Sequence, residues 1–407
     1  MRAPHSTPTP LTFKPDSSHY FSYNSNMSAQ VPRTIAEVDA IIQRDPPPLD
    51  LLTSFEQGFA EKSQVHRRLL HIKKLYGSHP KVDEFHNQRR AHYDANITSP
   101  NANKKYREGY ESILTAISQS QGNVFGNGRV RRFLDLGFSP GGFSNCILKN
   151  NQGSVGFGIT LPDDDASYRF EKYELLMDQT RFTPFFHDVV NITQQSLSTG
   201  TNPIDSLIAG NGHGMPRFDL IIADAFAVLA GGAPWYEHVR LALAQVYIVL
   251  LNLQDGGNAM FIIKTKPWKW QVEMLSILRR CFSSIQAVKG IMHKYRSTCY
   301  VVCKGFKRAS PTDHSTIAQY VGDLRAVLGS LGDIARAGND VNPETSTPSI
   351  TGRSDQDLFN AEHSFVLGLM EHCWKDQYDA IRDGFCRVLE PGRGKPIHTS
   401  SQLNLFR

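Results

Sequence analysis

Three side chains in this sequence stand where a soluble protein seldom keeps them without a task. Asp135 ends the apolar stretch Phe133-Leu134, Asp224 ends Leu220-Ile-Ile-Ala223, and Lys264 closes Met260-Phe-Ile-Ile263. The carboxyl ends of strands are where open α/β sheets bind their ligands, so two acids and a base at such ends suggest one polar site. A lysine there can act as a base if burial and a cationic neighbour lower its pKa from about 10.4. The competing readings are a helix cap for Asp135 and a lysine that snorkels to water for Lys264.

The elements that must position these residues follow from the surrounding pattern. Asp135-Leu-Gly-Phe-Ser-Pro-Gly-Gly-Phe-Ser144 reads as a strand, a glycine-rich turn and the start of a helix. Gly137, Gly141 and Gly142 would let backbone approach a nucleotide-like ligand, and Pro140 presets the turn. The run is neither Gly-x-Gly-x-x-Gly nor a P-loop, since no Gly-Lys-Ser/Thr follows.

From residue 131 strands and helices alternate. Strands are expected at 132–136, 154–160, 183–186, 218–223, 259–264, 284–289 and 299–304, and helices at 142–150, 236–253 and 268–282. This predicts an α/β domain with a mostly parallel, Rossmann-like sheet. The last two strands are joined by only about nine residues, too few for a crossover helix, so they should form an antiparallel hairpin. The expected division is a disordered leader (1–30), a helical N-terminal extension (31–125), the α/β domain (126–308) and a helical C-terminal extension (309–407). Within the flanks, Thr34-Ile-Ala-Glu37 reads as a capping box, and helices are expected at 316–335 and 356–390 around a polar loop at 338–354.

The chain has 407 residues, 40% of them hydrophobic and 20% charged, which is ordinary for a globular protein. The longest apolar run, Leu241 to Leu253, is interrupted by Gln245 and Asn252 and is too short to span a bilayer. Met1 to Met27 has no continuous apolar core and is not a secretory signal. The expected location is intracellular, in nucleus or cytoplasm, with the mitochondrion left open. The six cysteines form no Cys-x-x-Cys and read as reduced thiols without a zinc site. The net charge of +5 is modest, but residues 264–308 hold eleven Lys or Arg against one acid, Glu273, and a second basic cluster runs from Lys62 to Lys74. Such runs are either a solvated face or a footprint for phosphates.

The motif Asp135-Leu-Gly-x-x-Pro-Gly-Gly-Phe-Ser144 resembles the cofactor motif of the FtsJ-like RNA ribose 2′-O-methyltransferases. Gly156-Phe-Gly-Ile-Thr-Leu161 and Tyr300-Val-Val-Cys-Lys-Gly-Phe306 are most similar to the messenger-RNA cap methyltransferases of that family. Phe218-Asp-Leu-Ile-Ile-Ala-Asp-Ala225 and Ala259-Met-Phe-Ile-Ile-Lys-Thr265 fall in the family's order. The resemblance covers roughly 130–308 and implies a seven-stranded sheet with a reversed last strand that binds S-adenosylmethionine.

It further implies roles for single residues. Asp135 would contact the amino end of the cofactor, with Gly137, Pro140, Gly141, Gly142 and Phe143 shaping the turn around its methionine part. Asp188 would accept from the adenine amino group, or is a surface acid. No acid ends the second strand unless Asp163 to Asp165 reach back. Of the family's Lys-Asp-Lys-Glu tetrad, Lys264 and Asp224 match the central Lys and the Asp, while Thr298 stands in the Glu place. Asp94 falls at the position of the first Lys, with Lys104 and Lys105 as alternatives.

The leading expectation is therefore an S-adenosylmethionine-dependent enzyme that methylates RNA on ribose 2′-hydroxyls. The basic stretch would hold the RNA backbone, with Lys266, Lys294 and Arg296 as contacts and Trp268 and Trp270 as stacking platforms or core. The alternative is an inactive relative that uses the fold as an RNA- or protein-binding scaffold. A small-molecule methyltransferase would not need the Lys264 strand or the basic stretch.

Overall fold

A computed structural model describes residues 31–44, 52–85, 87–88, 102–162, 180–208, 217–226, 233–338 and 347–391. The expected leader, Asp94 and Asp163 to Asp165 lie outside the described residues.

Seven strands form one sheet: β1 (Arg132–Leu136), β2 (Val155–Thr160), β3 (Phe182–Phe186), β4 (Phe218–Ala223), β5 (Leu253–Lys264), β6 (Phe282–Val288) and β7 (Thr298–Phe306). Their order is β3-β2-β1-β4-β5-β7-β6. The first five run parallel, and β7 inserts antiparallel between β5 and β6. The short link between the last two strands thus has the geometric outcome expected of it. β1 and β4 are central, and Phe133-Leu134 and Leu220-Ile-Ile-Ala223 are apolar up to Asp135 and Asp224, as buried parallel strands must be.

The helices in chain order are α1 (Ile35–Arg44), α2 (Ser54–Lys62), α3 (Gln64–Gly77), α4 (Ala102–Ser120), α5 (Gly142–Asn150), α6 (Val189–Thr199), α7 (Asp205–Ile208), α8 (Trp235–Asn252), α9 (Lys269–Cys281), α10 (Pro311–Ala337) and α11 (Asp355–Leu389). α5, α8, α9, α10 and α11 occupy the segments expected to be helical to within a few residues. α6 was not expected, because Val189-Val-Asn-Ile-Thr193 is β-branched and its polar second half shows no stripe. Asp188 supplies the missing signal, since its side chain accepts from the backbone N–H groups of Val190 and Asn191. Thr34 caps α1, but Glu37 reaches the Arg33 N–H rather than Thr34, so the box is incomplete there. The complete capping box is Thr53 with Glu56 at the start of α2.

Two apolar layers sandwich the sheet. On one face Phe133, Leu220, Ile222, Met260, Tyr300 and Val302 pack with Ile113, Leu114, Ile117 of α4 and Phe143, Ile147 of α5. On the other, Leu134, Ile221, Phe261, Ile263, Val301 and Cys303 pack with α8, α9 and α11. α2 and α3 lean on α11 through rings: Phe59 meets Phe359 at 5.0 Å, His66 stacks on Trp374 at 4.3 Å, and Tyr76 meets Phe385 at 5.0 Å. No helix among the described residues is long and apolar enough to cross a membrane.

Candidate active site

The site lies where β1, β4 and β5 end. Gly137, directly after β1, has φ +91°, and a Cβ there would stand 2.6 Å from the Ala225 Cα. The turns after β1 and β4 therefore touch, which a side chain at 137 would prevent. Gln245 of α8 clamps the second turn, accepting from the Ala225 N–H and donating to its carbonyl, both at 3.0 Å. A buried glutamine in an apolar helix was the one sequence signal for this clamp, and its partner could not be read from the sequence. The Ser139–Pro140 peptide bond is cis, and Gly141 is left-handed at the N-terminus of α5.

These contacts bring two carboxyls together. Asp135 is wholly buried, and the Ser144 hydroxyl in the first turn of α5 donates to its Oδ2 at 2.5 Å. Burial raises its pKa to about 7 against the lowering by its hydrogen bonds with Ser144 and Asp224. Asp224 is raised further, first by burial and then by the Asp135 charge beside it. Near neutral pH the pair thus retains a proton. The Oδ1 atoms of both acids are buried and receive no hydrogen bond. Two acceptor oxygens kept from water suit a cationic donor, which would draw off the shared proton.

The other turn residues separate by role. Gly142 faces α4, where a Cβ would stand 2.5 Å from the Arg107 carbonyl oxygen and from the Tyr110 Cβ. Its missing side chain serves helix packing rather than ligand approach. Phe143 is buried between Tyr110 at 5.3 Å and Tyr300 at 6.0 Å, so the core claims it. Asp188 spends Oδ1 on capping α6.

Lys264 ends β5 and is paired in register with Thr298 at the start of β7. The Lys264–Thr298 rung stands one strand over from Asp224, with Thr298 half-buried. Lys289 donates to the Thr298 carbonyl at 2.7 Å and also reaches the Arg296 carbonyl. Nothing in the spacing of the Lys62 to Lys74 cluster singles out Lys73 of α3. Its amine donates to the Ser297 hydroxyl at 2.7 Å. Desolvation, then the charges of Lys266, Lys289 and Lys264, pull its pKa down to about 7 against the opposing charge of Glu56. Burial likewise lowers Lys289 to about 8. From the other side Gln377 of α11 donates to the same Ser297 hydroxyl at 3.4 Å, and Trp374 donates to the Thr265 carbonyl at 2.7 Å. Lys104 is exposed at the head of α4.

The basic stretch does not form one patch. Lys269 pairs with Asp355, Arg279 with Glu362, and Lys304 donates to Gln121. Arg308 caps the end of α8 at the opposite edge of the sheet. What remains at the site edge is Lys264, Lys266, Lys289 and the exposed Lys294 and Arg296, joined by Lys73. Lys266 lies over the Trp268 ring at 5.1 Å, and Trp268 stacks on Trp270, which packs against the core.

A parallel five-stranded half extended by an antiparallel β7 between β5 and β6, with its ligand edge at β1 and β4, defines a Rossmann-like methyltransferase fold. Residues 114–306 match the model of the FtsJ-like methyltransferases.

Among curated relatives, the chain is 24% identical over 250 residues to an inactive cap-specific mRNA (nucleoside-2′-O-)-methyltransferase 1B of Caenorhabditis briggsae, covering 59% of this chain and 27% of that protein. It is 27% identical over 216 residues to ribosomal RNA large subunit methyltransferase E of Sphingopyxis alaskensis, covering 52% of this chain and 82% of that one. The chain thus spans about a quarter of the length of the first of these relatives and most of the second. A solved ribosomal RNA methyltransferase of Plasmodium falciparum aligns with 14% identity and a TM-score of 0.35, over 49% of this chain and 98% of that one.

Proposed function

We propose that the protein transfers a methyl group from S-adenosylmethionine to a ribose 2′-hydroxyl of RNA. The observation that carries this reading is the Lys264–Thr298 rung set beside a buried carboxyl pair with two unsatisfied oxygens. Asp135 and Asp224 would hold the ammonium of the methionine part, and the turn from Gly137 to Gly141 would run along it. Asp188 Oδ2, left over from the helix cap, would face the adenine. When bound, this cofactor supplies an electrophilic methyl on a sulfonium.

The residues of the chain do the rest. Lys264 holds the ribose hydroxyl in line and takes up its proton, Asp224 orients the lysine, and Thr298 offers a neutral oxygen from across the rung. Lys73 and Lys289 add positive charge at this edge, and burial holds both amines below the usual lysine range. Lys266, Lys294 and Arg296 would meet RNA phosphates, and Trp268 would offer its outer face to a base.

The test is transfer of labelled methyl to capped and uncapped RNA. Lys264→Ala should lower transfer about 100- to 10,000-fold while cofactor binding persists. Unchanged transfer in that variant would overturn the mechanism. A folded, cofactor-binding wild type that transfers nothing would shift the reading to a scaffold that binds RNA.

A further inference from the structure

We propose that a second pocket, on the edge of the sheet opposite Lys264, binds a phosphomonoester. This cavity of about 340 Å³ is lined by Arg217, just before β4, Arg308, just after β7, and Arg325 of α10. Asp205 and Thr201 add polar atoms, and Tyr247 closes the side. It opens at the start of β4 and β5. Along the 12 residues of β5 it is roughly 36 Å from the Lys264 end, so it is separate from the methyl-transfer site.

The charges in this pocket are balanced only in part, by Asp205, which feels the Arg217 charge. None of the three guanidiniums forms an ion pair with a described acid. Arg217 and Arg308 are close enough that, after burial, the Arg217 charge is what lowers the Arg308 pKa. Like charges are crowded here rather than spread over solvent.

Each guanidinium is anchored through a single nitrogen to helix-end carbonyls. Arg325 holds the Leu197 carbonyl of α6 at 2.5 Å, Arg308 the Leu251 carbonyl of α8 at 3.1 Å, and Arg217 that same Leu251 carbonyl. Those carbonyls explain how the three cations tolerate one another, and they fix the planes of the forks. The anchoring leaves other N–H donors of each fork for a ligand. Three guanidiniums against one carboxylate leave a formal surplus of two positive charges, matching the dianion of a phosphomonoester better than the single charge of a phosphodiester. The volume suits a phosphate with a small organic group. That phosphate could sit on a free nucleotide or on an RNA 5′ end.

The experiment is calorimetric titration of the full chain with inorganic phosphate, a nucleoside 5′-monophosphate, and one oligoribonucleotide bearing either a 5′-phosphate or a 5′-hydroxyl. Phosphate and at least one phosphomonoester should bind, and Arg325→Gln, an exposed position, should weaken each about ten-fold or more. Arg217→Gln is the second variant and should do the same. Preference for the 5′-phosphorylated oligonucleotide over its hydroxyl twin assigns the site to an RNA end. Binding of the mononucleotide with neither oligonucleotide assigns it to a free ligand. No binding of phosphate or nucleotide at millimolar concentration, or affinities unchanged in both folded variants, overturns the proposal.

Discussion

Asp135, like Asp224 beside it, carries a pH dependence that an exposed aspartate would not. Its carboxyl titrates at about 7 in the fold against 3.8 for an unperturbed aspartate, because burial outweighs the lowering by its hydrogen bonds with Ser144 and Asp224. The folded protein therefore holds a proton that the unfolded chain has already lost between those values. Stability is full below about 4 and falls as pH rises to about 7, by an amount on the order of a few kcal/mol. Asp135→Asn should flatten that slope while weakening cofactor binding, as seen in urea unfolding at pH 5 and pH 8. An unchanged slope would mean that the carboxyls are not in contact. Thr298 is the second residue with a distinct expectation. A glutamate there would face Lys264 across the rung with a full charge, and Thr298→Glu should raise the single-turnover rate of methyl transfer about ten-fold or more. No gain would show that the neutral oxygen suffices.

At the scale of elements, the turns after β1 and β4 meet backbone to backbone. Gly137→Ala would place a methyl against the Ala225 backbone in a left-handed conformation, and should cost about 2–4 kcal/mol in thermal or chemical unfolding. It should also reduce cofactor binding, since Asp135 and Asp224 lean on the same contact. The elements themselves were largely readable. β4 stops before Asp224 and β1 one residue past Asp135, as expected, because a buried aspartate marks where an apolar strand reaches a polar site. Lys264 was conspicuous for the same reason. Lys73, Gln245 and Ser297 were not, because each has its meaning only through a partner distant in the chain. The basic stretch misled for a related reason. Charge counted along a sequence takes no account of which way each side chain turns, and Lys269, Arg279 and Arg308 turn to acids and carbonyls away from the site.

In the whole molecule, the flanks are part of the site's construction. Ser297, next to Thr298, accepts hydrogen bonds from Lys73 of α3 and from Gln377 of α11. Trp374 is buried over β5 and holds the Thr265 carbonyl. A fragment of residues 126–308 would expose Ile263, Cys299 and the α9 face that α11 covers, and would lose α4 from the other layer. It should therefore bind a hydrophobic dye and unfold without a cooperative transition, whereas residues 31–391 should unfold cooperatively. A cooperative transition in the fragment would show that the sheet stands alone.

The pairing of the first and last helices also sets the timing of synthesis. Ile35 donates to the Glu390 carboxylate, and Asp39 pairs with Arg382, so α1 is joined to residues about 350 positions later. At a translation rate of about 5–20 residues per second, the apolar faces of α1, α2 and α3 leave the ribosome roughly 20–70 s before α11 exists to cover them. During that interval Val38, Phe55, Phe59 and Ile72 have no native partner on α11, which makes the nascent N-terminal helices a natural client for a holding chaperone.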